Sequence, residues 1–206
     1  MKTKETLTGY REKLKLVAVI KGKSPEEVRK MIKKTGVKRI GENRIQEAEG
    51  KFQELPGNLE KHFIGKLQSR KIPKIVQLFD VIQSVETLDQ AKKISKQGKT
   101  IGIFLQINIS NLPQRSGCKP EEAKKQIEEI QRLPNIKLLG VMGIASPNPQ
   151  KARQEFKLLK SLQGDLPECS MGMSSDYKIA IEEGSTMLRL GRILFEEPLP
   201  KLPNFE

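Results

Sequence analysis

The chain has no tryptophan, one histidine and two cysteines, and aromatic residues make up only 4% of it. Each scarcity excludes something. Specific recognition of nucleic acid ordinarily rests on stacking aromatics or a recognisable module, and the sequence offers neither. Cys118 and Cys169 stand far apart, without the spacing of a metal or redox pair, which fits a reducing compartment. His62, the sole histidine, is read as structural, and no metal site is expected. No apolar run approaches the ~20 residues that span a bilayer. Met1-Lys2-Thr3-Lys4-Glu5 leads into no apolar segment of signal-peptide type. A soluble, cytoplasmic protein without a membrane partner is expected. No Gly-x-Gly-x-x-Gly follows the first apolar strand, which disfavours a dinucleotide site.

Charge is what the chain has in abundance. Charged residues reach 31%, with a net charge of +13. The basic residues are spread through helical segments, as in Arg29, Lys30, Lys33 and Lys34, or Lys92, Lys93, Lys96 and Lys99. Such runs read as solvated helix faces. Weak, salt-sensitive attraction to polyanions is expected, and no specific nucleic-acid partner. A chain of 206 residues is long enough for a sizeable core.

Short apolar runs alternate with amphipathic segments along the whole chain. Strands are predicted over 16–20, 38–41, 62–65, 81–85, 101–109, 137–144, 169–173 and 187–195. Helices are predicted over 25–34, 43–52, 69–78 (despite Pro73), 88–97, 120–132, 150–162 and 176–183. Ser24 and Glu27 form a capping box with Pro25 between them, and Gly36 ends that helix. Residues 1–14 are expected to hold an N-terminal helix and 198–206 a tail, with no linker or second domain in 1–206. Eight strands alternating with helices imply an α/β fold, the closed (β/α)8 TIM barrel, with a doubly wound open sheet as the alternative.

Closure of such a barrel pairs the first strand with the last. Lys21 then ends strand one beside Gly191 at the end of strand eight, with Ser174 ending strand seven. The C-terminal rim of these barrels carries the active groups, and phosphate commonly binds after strands seven and eight. Ser174, Ser175 and Asp176 are N-cap residue types, and a helix start offers free N–H groups to a phosphate. Val17, Val19 and Lys21 share one face of the strand, Ala18 and Ile20 the other. An ammonium held in a partly dry barrel mouth loses solvation, which favours the neutral, nucleophilic amine. An amine beside a phosphate cradle suits an aldehyde that carries a phosphate, namely pyridoxal 5′-phosphate.

An ordered set of motifs then resembles a known family. The motifs are Leu16-Val17-Ala18-Val19 before Lys21, Gly41-Glu42-Asn43 with Gln46-Glu47, and His62-Phe63-Ile64-Gly65 with Leu67-Gln68-Ser69. They continue with Gln106-Ile107-Asn108-Ile109-Ser110, Ser116-Gly117 and Gly140-Val141-Met142. Ser170-Met171-Gly172-Met173-Ser174, with Arg189 and Gly191, closes the set. These resemble the pyridoxal phosphate homeostasis proteins, single-domain fold-type III barrels akin to the N-terminal domain of alanine racemase. The resemblance implies pyridoxal 5′-phosphate as ligand and Lys21 as its Schiff-base lysine. It implies a phosphate cradle from Ser174 and the backbone around Gly191 and Arg192, with Arg189 facing the pyridine nitrogen. Asn43 and Met142 match pocket-lining positions. A non-catalytic, monomeric carrier is implied, with apo pyridoxal-phosphate enzymes as the candidate recipients.

The sequence departs from the family pattern at several positions. Ile20 stands for a usual Ser, Arg44 for Tyr, Lys66 for His, Arg70 for Asn, Arg115 for Lys, and Gly143 and Arg192 each for Thr. At Arg192 a hydroxyl is lost while the backbone N–H remains, and a guanidinium becomes available to phosphate. Two other functional classes stay open on sequence grounds. One is a small racemase-like enzyme, although Tyr10 and Tyr177 are the only tyrosines to serve as a second acid/base. The other is a polyanion-binding barrel that has lost the cofactor.

Overall fold

The computed structural model describes residues 14–199 and 201–206. The helix expected over 1–14 therefore lies outside the described residues, except for Leu14, which is buried. The strands are β1 (Lys15–Val19), β2 (Arg39–Glu42), β3 (Glu60–Phe63), β4 (Val81–Val85), β5 (Ile101–Ile107), β6 (Ile136–Gly143), β7 (Glu168–Ser170) and β8 (Met187–Leu190). All eight are parallel and close into a barrel in sequence order, with Val17 paired to Arg189 and Ala18 to Leu190 across the seam. This is the (β/α)8 barrel expected from the alternation, and the open sheet is excluded.

Seven α-helices are described on the outside: α1 (Pro25–Thr35), α2 (Ile45–Gln53), α3 (Ile72–Leu78), α4 (Leu88–Ser95), α5 (Pro120–Ile130), α6 (Pro149–Gln163) and α7 (Tyr177–Glu182). Local chemistry starts and stops them. Ser24 accepts from the Glu27 N–H while the Glu27 carboxylate reaches back to the Ser24 N–H, the expected capping box. Gly36 ends α1 at φ +65°, where a side chain would be strained. Thr87 and Asn148 cap α4 and α6 through their side chains, which accept the Gln90 and Lys151 N–H groups. Pro73 does not break the fourth helical segment, because Ser69–Lys71 forms a 3-10 turn and α3 begins at Ile72, which leaves the proline in the first helical turn.

The apolar residues sort into two clusters. The larger one fills the layer between strands and helices and includes Ala18 and Ile20. The smaller one plugs the barrel itself and consists of Val17, Val81, Phe104, Met142 and Met187, with Leu139 and Ile144 against it. Removing the fully buried Phe104 side chain is expected to cost about 3–5 kcal/mol.

Two segments differ from the sequence reading. The last strand was expected to run to residue 195 but stops at Leu190. Gly191 turns the chain at φ −117°, ψ −100°, and Arg192–Phe195 is a 3-10 turn. The segment from 198 does not trail away from the fold. Leu202 and Phe205 pack on the core, the Glu206 N–H donates to the Leu14 carbonyl at 3.0 Å, and Arg39 donates to the Glu206 carbonyl at 3.1 Å. Two apolar side chains with a surface to cover outweigh the low helix and strand propensity of the segment.

Candidate functional site

The site forms where β1, β7 and β8 end. Side-chain alternation carries Val17 into the barrel plug, Val19 to the rim and Lys21 to the mouth, while Ala18 and Ile20 pack under the helices. The β1–β8 register then sets the Lys21 turn beside Gly191. A Cβ on Gly191 would sit 3.4 Å from the Val19 Cβ.

After β7 the chain turns at Gly172, with φ +97°. A Cβ there would come within 2.6 Å of the Ala180 Cβ and 2.8 Å of Leu188, so only glycine lets the turn tuck beneath α7. The Met173 carbonyl accepts the N–H groups of Asp176 and Tyr177, at 3.1 and 2.9 Å. Asp176 does not cap α7 through its side chain, contrary to its residue type. Its carboxylate turns back and accepts the Met173 N–H at 2.6 Å. Among the described residues, the N–H groups of Ser174, Ser175, Gly191 and Arg192 have no protein acceptor. With α7 only six residues long, these individual donors matter more than the helix dipole on which the sequence reading leaned.

Five of the seven residues singled out from sequence line one open cavity of about 240 Å³: Lys21, Ser174, Arg189, Gly191 and Arg192. Val19, Met173 and Ser175 complete its wall. Met142 lies elsewhere. It is 1% exposed and belongs to the barrel plug. Asn43 does not line this cavity either. Its N–H donates to Glu42, while its buried Oδ1 has no partner among the described residues. Lys21 is exposed rather than held in a partly dry mouth.

Arg189 is 4% exposed. It donates to the Ser170 hydroxyl at 2.8 Å and to the Gly143 carbonyl at 2.9 Å. Burial pushes its guanidinium down to about 10, opposed by the charge of Asp176, so it stays protonated at neutral pH. Burial also raises the Asp176 carboxyl, against the Met173 N–H and Arg189.

Ser170 continues a chain through the barrel that sequence reading missed. It donates to the Gln83 carbonyl oxygen at 2.7 Å, and the Gln83 amide donates to His62 Nδ1 at 2.8 Å. Because Nδ1 accepts, Nε2 carries the proton and donates to Glu60 at 2.6 Å. His62 is thus structural, as expected. The signal was there in principle: Gln83, His62 and Ser170 are polar residues at fully buried strand positions.

The departures from the family pattern fall into place around this geometry. A Cβ on Gly143 would point at Ile109 and Leu159, both at 2.8 Å and outside the barrel, while its carbonyl holds Arg189. Ile20 faces the helices. Arg192 borders the cavity, and its side chain is 82% exposed and lies 3.8 Å from Glu196. Arg44 is exposed and pairs with Glu47, and Lys66 and Arg70 are exposed. Burial pushes the Cys118 and Cys169 thiols up to about 11 and 12, which leaves both as poor nucleophiles.

What remains free suits a phosphate ester bearing an electrophile. Four backbone donors and the Ser174 hydroxyl can take a phosphate, and the Lys21 side chain and the buried Arg189 cation line the same cavity.

The family model described as alanine racemase, N-terminal domain matches residues 4–197. A pyridoxal phosphate homeostasis protein of Pseudomonas aeruginosa is 38% identical over 191 residues, which is 87% of this chain and 83% of the relative. The solved structure of PipY from Synechococcus elongatus without pyridoxal phosphate matches with a TM-score of 0.82 at 31% identity, covering 93% of this chain and 99% of that one. The structure of PipY with pyridoxal phosphate bound matches at 0.78, with the same identity and coverage.

Proposed function

The chain belongs to the pyridoxal phosphate homeostasis protein family, within the alanine racemase N-terminal domain fold, and on that premise we propose that it holds pyridoxal 5′-phosphate and moderates its free level without turning over amino acids. The observation that carries this reading is the convergence, in one cavity, of the Lys21 amine, four unpaired backbone N–H groups and the buried Arg189 cation. PipY with pyridoxal phosphate bound, a relative of the same fold, supports the choice of ligand.

Each residue has a definite task in this reading. The Ser174 hydroxyl and the N–H groups of Ser174, Ser175, Gly191 and Arg192 bind the phosphate. Lys21 supplies the amine that meets the aldehyde. Arg189, fixed by Ser170 and Gly143, presents N–H donors and a positive charge to the ring nitrogen. Pyridoxal 5′-phosphate, when bound, supplies an aldehyde and a ring able to draw electrons from an attached carbon. A cation at the ring nitrogen disfavours its protonation and so weakens that second property. A racemase also needs a second acid/base. Tyr177 is buried in the core, and Tyr10 lies outside the described residues.

The protein is taken to act in the cytoplasm as a monomer, with apo enzymes that use pyridoxal phosphate as its recipients. No helix of the described residues is long and apolar enough to cross a membrane. The test has two parts. Titration with pyridoxal 5′-phosphate is expected to produce a saturable change in visible absorbance. Incubation of the loaded protein with L- and D-amino acids is expected to give neither racemisation nor transamination. Sustained turnover by the unmodified protein would overturn the non-catalytic reading.

A further inference from the structure

The turn that carries Lys21 is tied on both sides to one ion cluster. Lys51, in the last turn of α2, is 7% exposed and its ammonium has three acceptors. These are the Glu42 carboxylate at 2.7 Å, the Glu47 carboxylate at 3.0 Å and the Ile20 carbonyl at 2.9 Å. Three acceptors match the three donors of an ammonium, so none is left over. The same Glu47 oxygen accepts the Gly22 N–H at 2.9 Å. The carbonyl that precedes Lys21 and the N–H that follows it therefore both end on the Lys51–Glu47 pair. Glu42, at 0% exposure, is itself held by the Asn43 N–H at 2.8 Å.

A helix-to-strand contact does not need this arrangement. Burying an ammonium against two carboxylates costs desolvation, and an apolar side chain of similar length packs the same space without it. The Ile20 carbonyl also accepts the Lys23 N–H at 3.2 Å, which closes the turn, and what apolar residues do not supply is the second donor on that carbonyl and an anion for the Gly22 N–H. Gly22 stands at φ +67° with nothing within 4 Å of a Cβ, so the packing around its Cα does not hold the turn in place. We infer that Lys51 and Glu47 are positioning residues for Lys21, clamping the backbone on either side of it so that its amine is presented to the cavity. The inference rests on the reading of Lys21 as the amine that meets the cofactor.

The test separates the clamp from the cradle. Pyridoxine 5′-phosphate has the ring and phosphate of the cofactor but no aldehyde, so its affinity reports the β7–β8 cradle alone. Borohydride trapping of pyridoxal 5′-phosphate on Lys21, read by peptide mapping as a rate, reports the amine. Glu47→Ala is expected to slow trapping about tenfold or more, since small misplacements of a reacting group carry such penalties. Its affinity for pyridoxine 5′-phosphate is expected to stay near that of the wild type, while its thermal midpoint at neutral pH falls, because the Glu47 carboxylate bonded to the Gly22 N–H and Lys51 contributes stability there. Glu47→Gln keeps an oxygen on the Gly22 N–H and is expected to label near the wild-type rate. Lys51→Met is expected to behave like Glu47→Ala. Should Lys51→Met fail to fold, the Glu47 pair of variants decides, because that side chain is 25% exposed and tolerates change better. Undiminished trapping in folded Glu47→Ala would overturn the clamp while leaving the reading of Lys21 intact. A wild-type protein that takes no label at Lys21 would overturn that reading and the clamp with it.

Discussion

The guanidinium of Arg189 is buried, and among the described residues its hydrogen-bond partners are a hydroxyl and a carbonyl, with no carboxylate bonded to it. Its orientation thus hangs on Ser170, which is in turn held by Gln83 and, through it, by His62 and Glu60. Every link in this chain donates in the same direction, from cation to carboxylate. Ser170→Ala removes one link and leaves a buried Gln83 oxygen and an Arg189 N–H unsatisfied. It is expected to lower stability by about 1–3 kcal/mol, read from the denaturant midpoint. At the rim, Ser174→Ala removes one hydroxyl from the phosphate cradle. Bonds to charged groups are worth about 1.5–3 kcal/mol, so the affinity for pyridoxal 5′-phosphate is expected to fall at least about tenfold in an equilibrium titration. Lys21, Arg189 and Gly191 were legible in the sequence because strand alternation has a period of two and barrel closure is a topological rule. Met142 was not, since the face it occupies depends on the irregular register between β5 and β6. Neither was the Ser170–Gln83–His62 chain, whose members come from three strands and meet only once every register is set.

The capping box at α1 was readable because it is local, whereas the β7–α7 turn was not. Ser174, Ser175 and Asp176 all look like caps, and the structure spends the Asp176 carboxylate on Met173 instead. Strand eight stops early at Gly191 for the same kind of reason, a backbone turn that no residue type announces. The β1–α1 turn depends on Glu47, whose carboxyl is lowered to about 2, first by the Gly22 N–H and then by Lys51. A carboxyl depressed in the fold contributes stability that is complete above its unfolded value, near 4.3, and is lost as pH falls through the folded value. The thermal midpoint of the wild type is therefore expected to fall between about pH 5 and pH 2 more steeply than that of Glu47→Gln. Parallel curves for the two proteins would remove Glu47 from the acid response.

Eightfold alternation of apolar strands with helices was enough to read the barrel, and closure brought the two ends of the chain together as expected. Many of the basic residues behave as solvated helix charges, as in the pairs Lys30–Glu26 and Lys93–Asp89 one turn apart. The net charge of +13 should still draw polyanions to the surface. Binding to RNA or DNA is expected to weaken steeply with salt and to ignore sequence. Tight binding of one sequence at physiological salt would favour a nucleic-acid function over a carrier.

Among the described residues, Lys21 is the lysine that lines the cavity at the seam of β1 and β8, and on the proposed function it meets the phosphate-bearing aldehyde. Lys23 and Lys66 are its rivals on the rim. Lys23 is drawn to Glu27 and sits over the Phe195 ring at 4.8 Å, and Lys66 is exposed beyond β3. The most direct measurement is peptide mapping after pyridoxal 5′-phosphate and borohydride, on the wild type and on Lys21→Ala. A single labelled peptide containing Lys21 is expected, with its loss in the variant and an unchanged fold by circular dichroism. Label on Lys23 or Lys66, or an unaltered visible spectrum in Lys21→Ala, would contradict this assignment of Lys21.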